Sequence, residues 1–434
     1  MSVLRGLVDP APLRVSPAWR RLWIGTTVSG IGGQMTTVAV LYQVWQLTGS
    51  PAWVGVLGLA NAVPTVVFGL AGGGLADTAD RRRLVLLTSS GLVAMGVLLA
   101  AQAALPGAGA GRLWLLLGLV VVKSCFSALG APARRSFTAL LLPRELVGAG
   151  VALDHVAFQV SMLVGPAVAG AVIAAWGLSA CYALDVLSFA VGFYGVWRLP
   201  ALPAAVARAE GRGARARLLV EGWRYVAAHP VLRGAAATDL LATVLAMPIS
   251  LFPAVNAERY GGSPRTLGLF LSAIAVGGIA AGTASGLVTR ARRAGLVLVL
   301  AACVWGAGLA AFGLAGPLWL ALACLAVAGA ADTLSVISRG TLVQLATDDA
   351  HRGRVSSVEL VVGAGGPDLG NLRAGLVAGL TSPAAALMSG GALCLLGIAA
   401  VAVTGRDLLR FAVAPDEDDV LAGLEEDLAE GPVR

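Results

Sequence analysis

Twelve long apolar stretches run through this chain, and the short loops between them carry their arginines on alternate sides. A bilayer's hydrocarbon core is about 30 Å thick and a helix rises about 1.5 Å per residue, so roughly 20 apolar residues cross it. In lipid every backbone N–H and C=O must be satisfied by protein, which an α-helix achieves within one segment. The stretches fall near 21–46, 52–76, 84–104, 113–133, 147–175, 179–197, 234–257, 266–288, 294–315, 317–338, 354–380 and 384–403. With 57% hydrophobic and 13% charged residues among 434, there is too little charge to cover a soluble surface of that size. The expected fold class is an all-α membrane protein with twelve transmembrane helices.

The arginines set the expected orientation, because basic loops stay in the cytoplasm during insertion. Arg5, Arg14, Arg20 and Arg21 precede the first span, Arg81–Arg83 fill the loop after the second, and Arg134, Arg135 and Arg144 the loop after the fourth. Arg290, Arg292 and Arg293 follow the eighth span, and Arg339, Arg352 and Arg354 flank the loop after the tenth. The opposite loops hold only Arg112, Arg259 and Arg265. The division expected is a cytoplasmic segment 1–20, a six-helix bundle 21–197, a cytoplasmic linker 198–233, a second bundle 234–403 and an acidic cytoplasmic tail 404–434. Residues 1–19 have no apolar core, so no cleaved signal is expected. The net charge of +7 arises from the loop bias and implies contact with anionic lipid headgroups, not nucleic acid. Within the linker, residues 210–226 suggest an amphipathic helix on the membrane surface.

Enzyme and cofactor chemistry finds no support. Cys125, Cys181, Cys303, Cys324 and Cys394 lie inside apolar spans without metal-ligand spacing, and His155, His229 and His351 are scattered. Gly72-Gly73-Gly74 is not followed by the GK[ST] of a nucleotide loop. Neither metal nor cofactor is expected, and the protein is expected to be a monomer.

The two halves repeat. A shift of 205 residues lays Asp154 on Glu359, Gly165 on Gly370 and Ala169-Gly170 on Ala374-Gly375. Parallel repeats about an axis along the membrane normal characterise one large transporter class. The segment Gly73-Gly74-Leu75-Ala76-Asp77-Thr78-Ala79-Asp80-Arg81-Arg82-Arg83 resembles the G-x-x-x-D-x-x-G-R-[KR]-x-[KR] signature of the major facilitator superfamily, with Asp80 where the signature prefers glycine. Pro17-Ala18-Trp19-Arg20, Ala131-Pro132-Ala133-Arg134-Arg135, Gly165-Pro166-Ala167-Val168-Ala169-Gly170, Gly353-Arg354-Val355 and the Gly366–Gly391 stretch are similar to the branch containing the bacterial enterobactin exporter. The resemblance implies two pseudo-symmetric six-helix bundles rocking about a central cavity. It also implies proton-driven efflux of a small organic molecule, a siderophore or related metabolite, with helices one, four, seven and ten lining the path. A multidrug or antibiotic efflux pump of the same fold, and a non-transporting membrane scaffold or sensor, remain the alternatives.

Ionisable groups at membrane depth cost several kcal/mol unless paired or hydrated, so they carry the candidate sites. Lys123, the only lysine, sits mid-span in helix four and is a candidate for the substrate cavity. Asp368, at similar depth in helix eleven within Gly365-Gly366-Pro367-Asp368, is its expected counter-charge and the first proton-coupling candidate, with local unwinding expected at Pro367. A carboxylate balanced between burial and a neighbouring cation can load and release a proton. Asp239 is the second candidate for coupling, and Arg373 and Gln34 are further cavity candidates; Gln34 stands where several proton-coupled exporters carry an acid. Asp77, Arg81, Arg134, Arg135, Asp154, Arg339, Arg354 and Glu359 are expected to form the cytoplasmic gate, with Asp332 beside them. Asp185, near the outer end of helix six, reads as structural. Gly69, Gly72, Gly73, Gly165, Gly170, Gly277, Gly278, Gly282, Gly375 and Gly379 are expected to smooth the seams between halves.

Overall fold

The computed structural model describes residues 9–105, 110–199, 212–284 and 293–411, the side chains of 70–78 and 212–219 excepted. Its long helices are α1 (Pro17–Thr48), α2 (Pro51–Thr78), α3 (Arg81–Ala104) and α4 (Ala110–Leu141). A continuous stretch Arg144–Trp197 turns back at Gly177 and forms α5 (144–176) and α6 (178–197). After the linker helix Arg212–Ala228 come α7 (Pro230–Arg259), α8 (Pro264–Thr283), α9 (Ala294–Leu314), α10 (Leu318–Ala346), α11 (Arg352–Leu380) and α12 (Pro383–Thr404). Nine helical stretches among the described residues have the length and hydropathy to cross a membrane, the α5–α6 stretch counting once. Helices α1 and α11 have the length but carry more glycine and polar residues, because they face the cavity described below.

Local chemistry starts and stops these helices where the sequence suggests. Proline occupies the first turn of α1, α7, α8 and α12, where its missing N–H is no loss. Ser16, Asp80, Ser263 and Ser382 accept N-terminal backbone hydrogen bonds of α1, α3, α8 and α12. Asp80 thus gains a capping role at the position where the loop signature prefers glycine. Gly177 holds φ 82° and ψ 179°, a conformation essentially confined to glycine. Gly177→Ala is expected to cost roughly 1–3 kcal/mol and to lower the apparent unfolding temperature in detergent, without altering the cavity.

Exposed aromatics stand at both ends of the bundle. Trp114, Trp176 and Trp319, 62%, 72% and 69% exposed, stand at the arginine-poor end of the bundle. Tyr194 and Trp197 stand at the arginine-rich end, where Arg198 lies over both rings. Indoles and phenols prefer this interfacial depth.

Helices α1–α6 form one half and α7–α12 the other, and the halves meet along two seams, α2 on α11 and α5 on α8. A Cβ added at Gly375 would lie 2.4 Å from the Pro51 carbonyl, and one at Gly170 would lie 2.6 Å from the Pro264 carbonyl. Gly55 abuts the Asn371 carbonyl and Gly268 the Pro166 carbonyl, while Ser272 Oγ donates to Leu163 O at 2.8 Å. These contacts lie toward the arginine-poor end. At the opposite end Gly69, Gly282, Gly363 and Gly365 have nothing within 4 Å of such a Cβ. The halves therefore touch at the arginine-poor end and part toward the arginine-rich one.

The repeat has a physical counterpart. Gly165 packs on Ile31 and Gln34 of α1, and Gly370 on Thr243 and Met247 of α7. Gly170 meets the first residues of α8 and Gly375 those of α2. Not every expected seam glycine lies there: Gly165 packs within its own half, and Gly277 meets the Ala326 carbonyl of α10. Gly278 chiefly meets Thr333, also of α10.

The linker helix does not simply lie on the membrane. Its described portion docks on α11, where Gly222 approaches the Arg354 carbonyl and Val226 is buried with Leu232, Val355, Val358 and Val362. Tyr225 stacks on His351 at 4.2 Å and donates to Asp348 Oδ2 at 3.1 Å.

Candidate substrate cavity

A cavity of about 490 Å³ lies between the halves. Helix α1 contributes Thr26, Ser29, Thr36 and Thr37, α2 contributes Asn61, and α4 contributes Lys123, Ser124, Ser127 and Arg134. From the other half come Ile249 and Ser250 of α7 and Asp368 and Asn371 of α11. Hydroxyls and amides stand among apolar side chains such as Leu41, Leu57, Val120 and Phe189 on this wall, and those of α1 and α11 make these the less apolar spans. Such a wall can exchange hydrogen bonds with a polar solute that passes.

Lys123 and Asp368 share the cavity but do not pair. Lys123 Nζ lies 3.0 Å from Asp185 Oδ2 of α6, and 5.4 Å from the centroid of the Phe189 ring. Thr36 Oγ1 donates to the same carboxylate oxygen, and Ser188 Oγ lies 3.3 Å from the other. Asp185 is fully buried, whereas 15% of the lysine side chain is exposed. Gly32 makes room for this arrangement, since a Cβ there would fall 2.6 Å from Asp185 Oδ1 and closer still to Ser188 Oγ. The expectation that Asp368 neutralises Lys123 is thus corrected. An acid on a helix of the same half reaches the ammonium without spanning the cavity. Asp185 is the residue the sequence reading undervalued, although an acid in the apolar run Ala183–Leu187 with Ser188 one turn on marks a charge needing a partner.

The Asp368 carboxylate faces the cavity, and no described side chain hydrogen-bonds or ion-pairs with it. It abuts Gly58 across the seam: a Cβ there would lie 2.8 Å from Asp368 O and 3.3 Å from Oδ1. Helix α11 runs unbroken through Pro367, against the expectation of unwinding. The break falls in α7, where Met247 turns extended and ends the first helical segment before the short turn Ile249–Leu251. Ser250 repairs the break by donating from N and Oγ to Oδ1 and O of Asn371, at 3.0 and 2.7 Å.

The remaining candidates divide. Arg373 donates to the Leu245 carbonyl, which the end of the first α7 segment leaves free, and it does not line the cavity. Gln34 Nε2 lies 2.9 Å from Met162 Sδ and faces an adjoining compartment. Asp239 is ion-paired with Arg339. Arg339 and Glu359 line a narrow pocket at the arginine-rich end of the second half. Arg354 pairs with Glu221 of the linker helix at 3.2 Å, not with Glu359. Asp154 accepts from Thr138 Oγ1 at 2.7 Å, and no ion pair joins it to Arg134 or Arg135. The partners of Asp154, Arg339 and Arg354 thus come from their own half or the linker helix, and none of these contacts bridges the two halves. Arg81 opens α3 behind the Asp80 cap; the Asp77 side chain lies outside the described residues.

The architecture is shared with solved transporters. A POT peptide transporter superposes with a TM-score of 0.72 at 13% identity, covering 92% of this chain and 96% of that one. A bacterial homologue of the human lysosomal transporter Spinster, inward-facing and unoccupied, gives 0.67 at 15% identity over 92% and 98%. Enterobactin exporters from Shigella boydii serotype 18 and Escherichia coli O139:H28 are 28% and 27% identical over 414 residues, 95% of this chain and 97% of each relative. The family model described as transmembrane secretion effector matches residues 9–417. Matched over nearly its whole length, the chain belongs to the transmembrane secretion effector family of major facilitator proteins, a multi-pass membrane transporter and not an enzyme.

Proposed function

We propose that this protein is a monomeric, proton-coupled exporter that carries a small organic molecule, a siderophore or related metabolite, out of the cytoplasm by alternating access. The observation that carries this reading is the polar cavity between two halves that touch at one end and part at the other. The arginine bias makes the parted end cytoplasmic, so the cavity is poised to load from inside, with both termini on that side. The substrate class comes from the relatives, which are named enterobactin exporters.

Asp368 is the proton carrier in this scheme. It is a carboxylate in the cavity wall with no side-chain partner among the described residues, and it stands against Gly58 where the α2–α11 seam begins. A group that gains or loses charge at that junction changes the cost of opening or closing the seam. Coupling free energies of about 1–3 kcal/mol correspond to roughly 5–150-fold changes in equilibrium. The test places the chain in a bacterial strain lacking its enterobactin exporter and measures secreted enterobactin by chromatography. Restored secretion is expected, with a several-fold loss in Asp368→Asn and loss of stimulation by an imposed proton gradient in inverted vesicles. Undiminished gradient-driven efflux by Asp368→Asn would remove it from the coupling role. Efflux of dyes without enterobactin would favour the multidrug alternative, and no flux in proteoliposomes the scaffold alternative.

A further inference from the structure

A second compartment, of about 520 Å³, adjoins the central cavity between α1, α4 and α5, at the arginine-rich end. It shares Thr26, Gly30, Ser127 and Arg134 with the central cavity, so Arg134 stands on the partition. Helix side chains lean toward the N-terminus, and the Arg134 guanidinium accordingly reaches back to Gly130, into the membrane. Its Nε and Nη2 are buried and find no acceptor. The indole Nε1 of Trp23, on the facing wall, is likewise buried without an acceptor. The Trp19 indole, stacked on Trp23 with centroids 6.4 Å apart, is instead satisfied: its Nε1 donates to Thr138, which donates to Asp154.

Two residues that line the compartment, Arg134 and Trp23, therefore carry three buried donor atoms with no acceptor among the described residues. Its charged groups are Arg134, Arg135 and Asp154, a net excess of one positive charge, and Phe158 adds a further apolar face. A buried donor without an acceptor is costly, more so when charged, and an acceptor-rich ligand recovers that cost. A guanidinium presents a planar fork that matches a carboxylate.

We propose that this compartment is a loading site for an aromatic organic anion. Arg134 and the Trp23 N–H hold its anionic group, and the Trp23 and Phe158 rings pack its body, before it passes Arg134 into the central cavity. The assignment rests on the transport reading for the origin of the ligand, and on the unpartnered donors for its chemistry. The same oxygens could arrive on a lipid phosphate, so the experiment separates the two sources.

The test is equilibrium dialysis of the full-length purified protein against radiolabelled benzoate and its neutral isostere benzamide. Protein is prepared in dodecyl maltoside, in phosphatidylcholine nanodiscs and in phosphatidylglycerol nanodiscs. Saturable benzoate binding is expected, with benzamide weaker by roughly tenfold or more. Arg134→Gln lowers benzoate affinity to the benzamide level and leaves benzamide unchanged, and Arg134→Lys falls between the two because it keeps charge without the fork. Absence of binding, equal affinity for both ligands, or unaltered discrimination in Arg134→Gln with a native melting profile overturns the proposal. So does loss of benzoate binding in phosphatidylglycerol alone, which assigns the site to lipid headgroups. Should Arg134→Gln melt early, the Arg134→Lys and benzamide arms still decide. Benzoate discrimination without enterobactin secretion would sink only the assigned cargo; secretion unaffected by Arg134→Gln, with no benzoate binding, would sink only this site.

Discussion

Asp185→Ala is expected to destabilise the protein by about 3 kcal/mol, the lower end of the range for breaking a buried ion pair, because it strands the Lys123 ammonium in the cavity wall. The lower end applies since 15% of the lysine side chain is exposed and water in the cavity can hydrate it. Lys123→Ala leaves the converse problem, a fully buried carboxylate that keeps only Thr36 and Ser188. Those hydroxyls still face the carboxylate, so the second variant costs less. The double variant Lys123→Ala/Asp185→Ala removes both charges and is expected to recover most of the loss, as paired deletions in contact do. Apparent unfolding temperatures in detergent read the cycle: each single variant falls by several degrees and the double lies above Asp185→Ala. Additive losses would mean that the two side chains do not stabilise one another. Export separates stability from function, because a stable double variant that fails to export places Lys123 in contact with cargo.

The same pair shows what the sequence makes legible. Depth is readable, since counting residues from a span's end locates Lys123 near mid-membrane. Partnership is not, because the count sets Asp185 near the outer end of helix six and Asp368 at the depth of Lys123, yet helix adjacency brings Asp185 to the ammonium. Gly32 decides that adjacency, and its role becomes visible only once Ser188 and Asp185 stand against it. Proline position misleads for a related reason. Pro367 and Pro248 each remove one donor, yet α11 continues while α7 breaks, because Asn371 supplies acceptors that satisfy the Ser250 groups released by the break. The gate acids illustrate a third limit. Asp154 accepts from Thr138 of the neighbouring helix and not from Arg134 or Arg135 beside it, a choice set by side-chain geometry and not by composition. The all-helical membrane fold and the pseudo-repeat were accessible because lipid imposes one hydropathy rule on every helix. Some seam contacts were accessible too: Gly49-Ser50-Pro51 with Gly55 recurs as Gly262-Ser263-Pro264 with Gly268, and both later glycines lie against a carbonyl of the opposite half.

Those seams lead to the second large effect, with Gly375→Leu expected to lock the protein open at its arginine-poor end. A Cβ at Gly375 would fall 2.4 Å from the Pro51 carbonyl and 3.1 Å from the Gly55 Cα. Both are backbone atoms, which cannot rotate aside, so relief requires α2 and α11 to separate. Overpacking of this kind costs about 1–3 kcal/mol, enough to shift an equilibrium between two arrangements by roughly 5–150-fold. Gly282→Leu is the mirror experiment, because that glycine meets open space in this arrangement and a side chain there penalises only closure of the other end. Spin labels at Ser50→Cys and Leu380→Cys, on opposite halves beside the α2–α11 contact, report the separation in a background whose five native cysteines are replaced. Gly375→Leu should lengthen the distance and Gly282→Leu should keep it short, while both stop export because cycling needs both arrangements. If Gly375→Leu instead left the distance short and export intact, the seams would be passive packing, and the rocking attributed to them would have to reside elsewhere in the bundle.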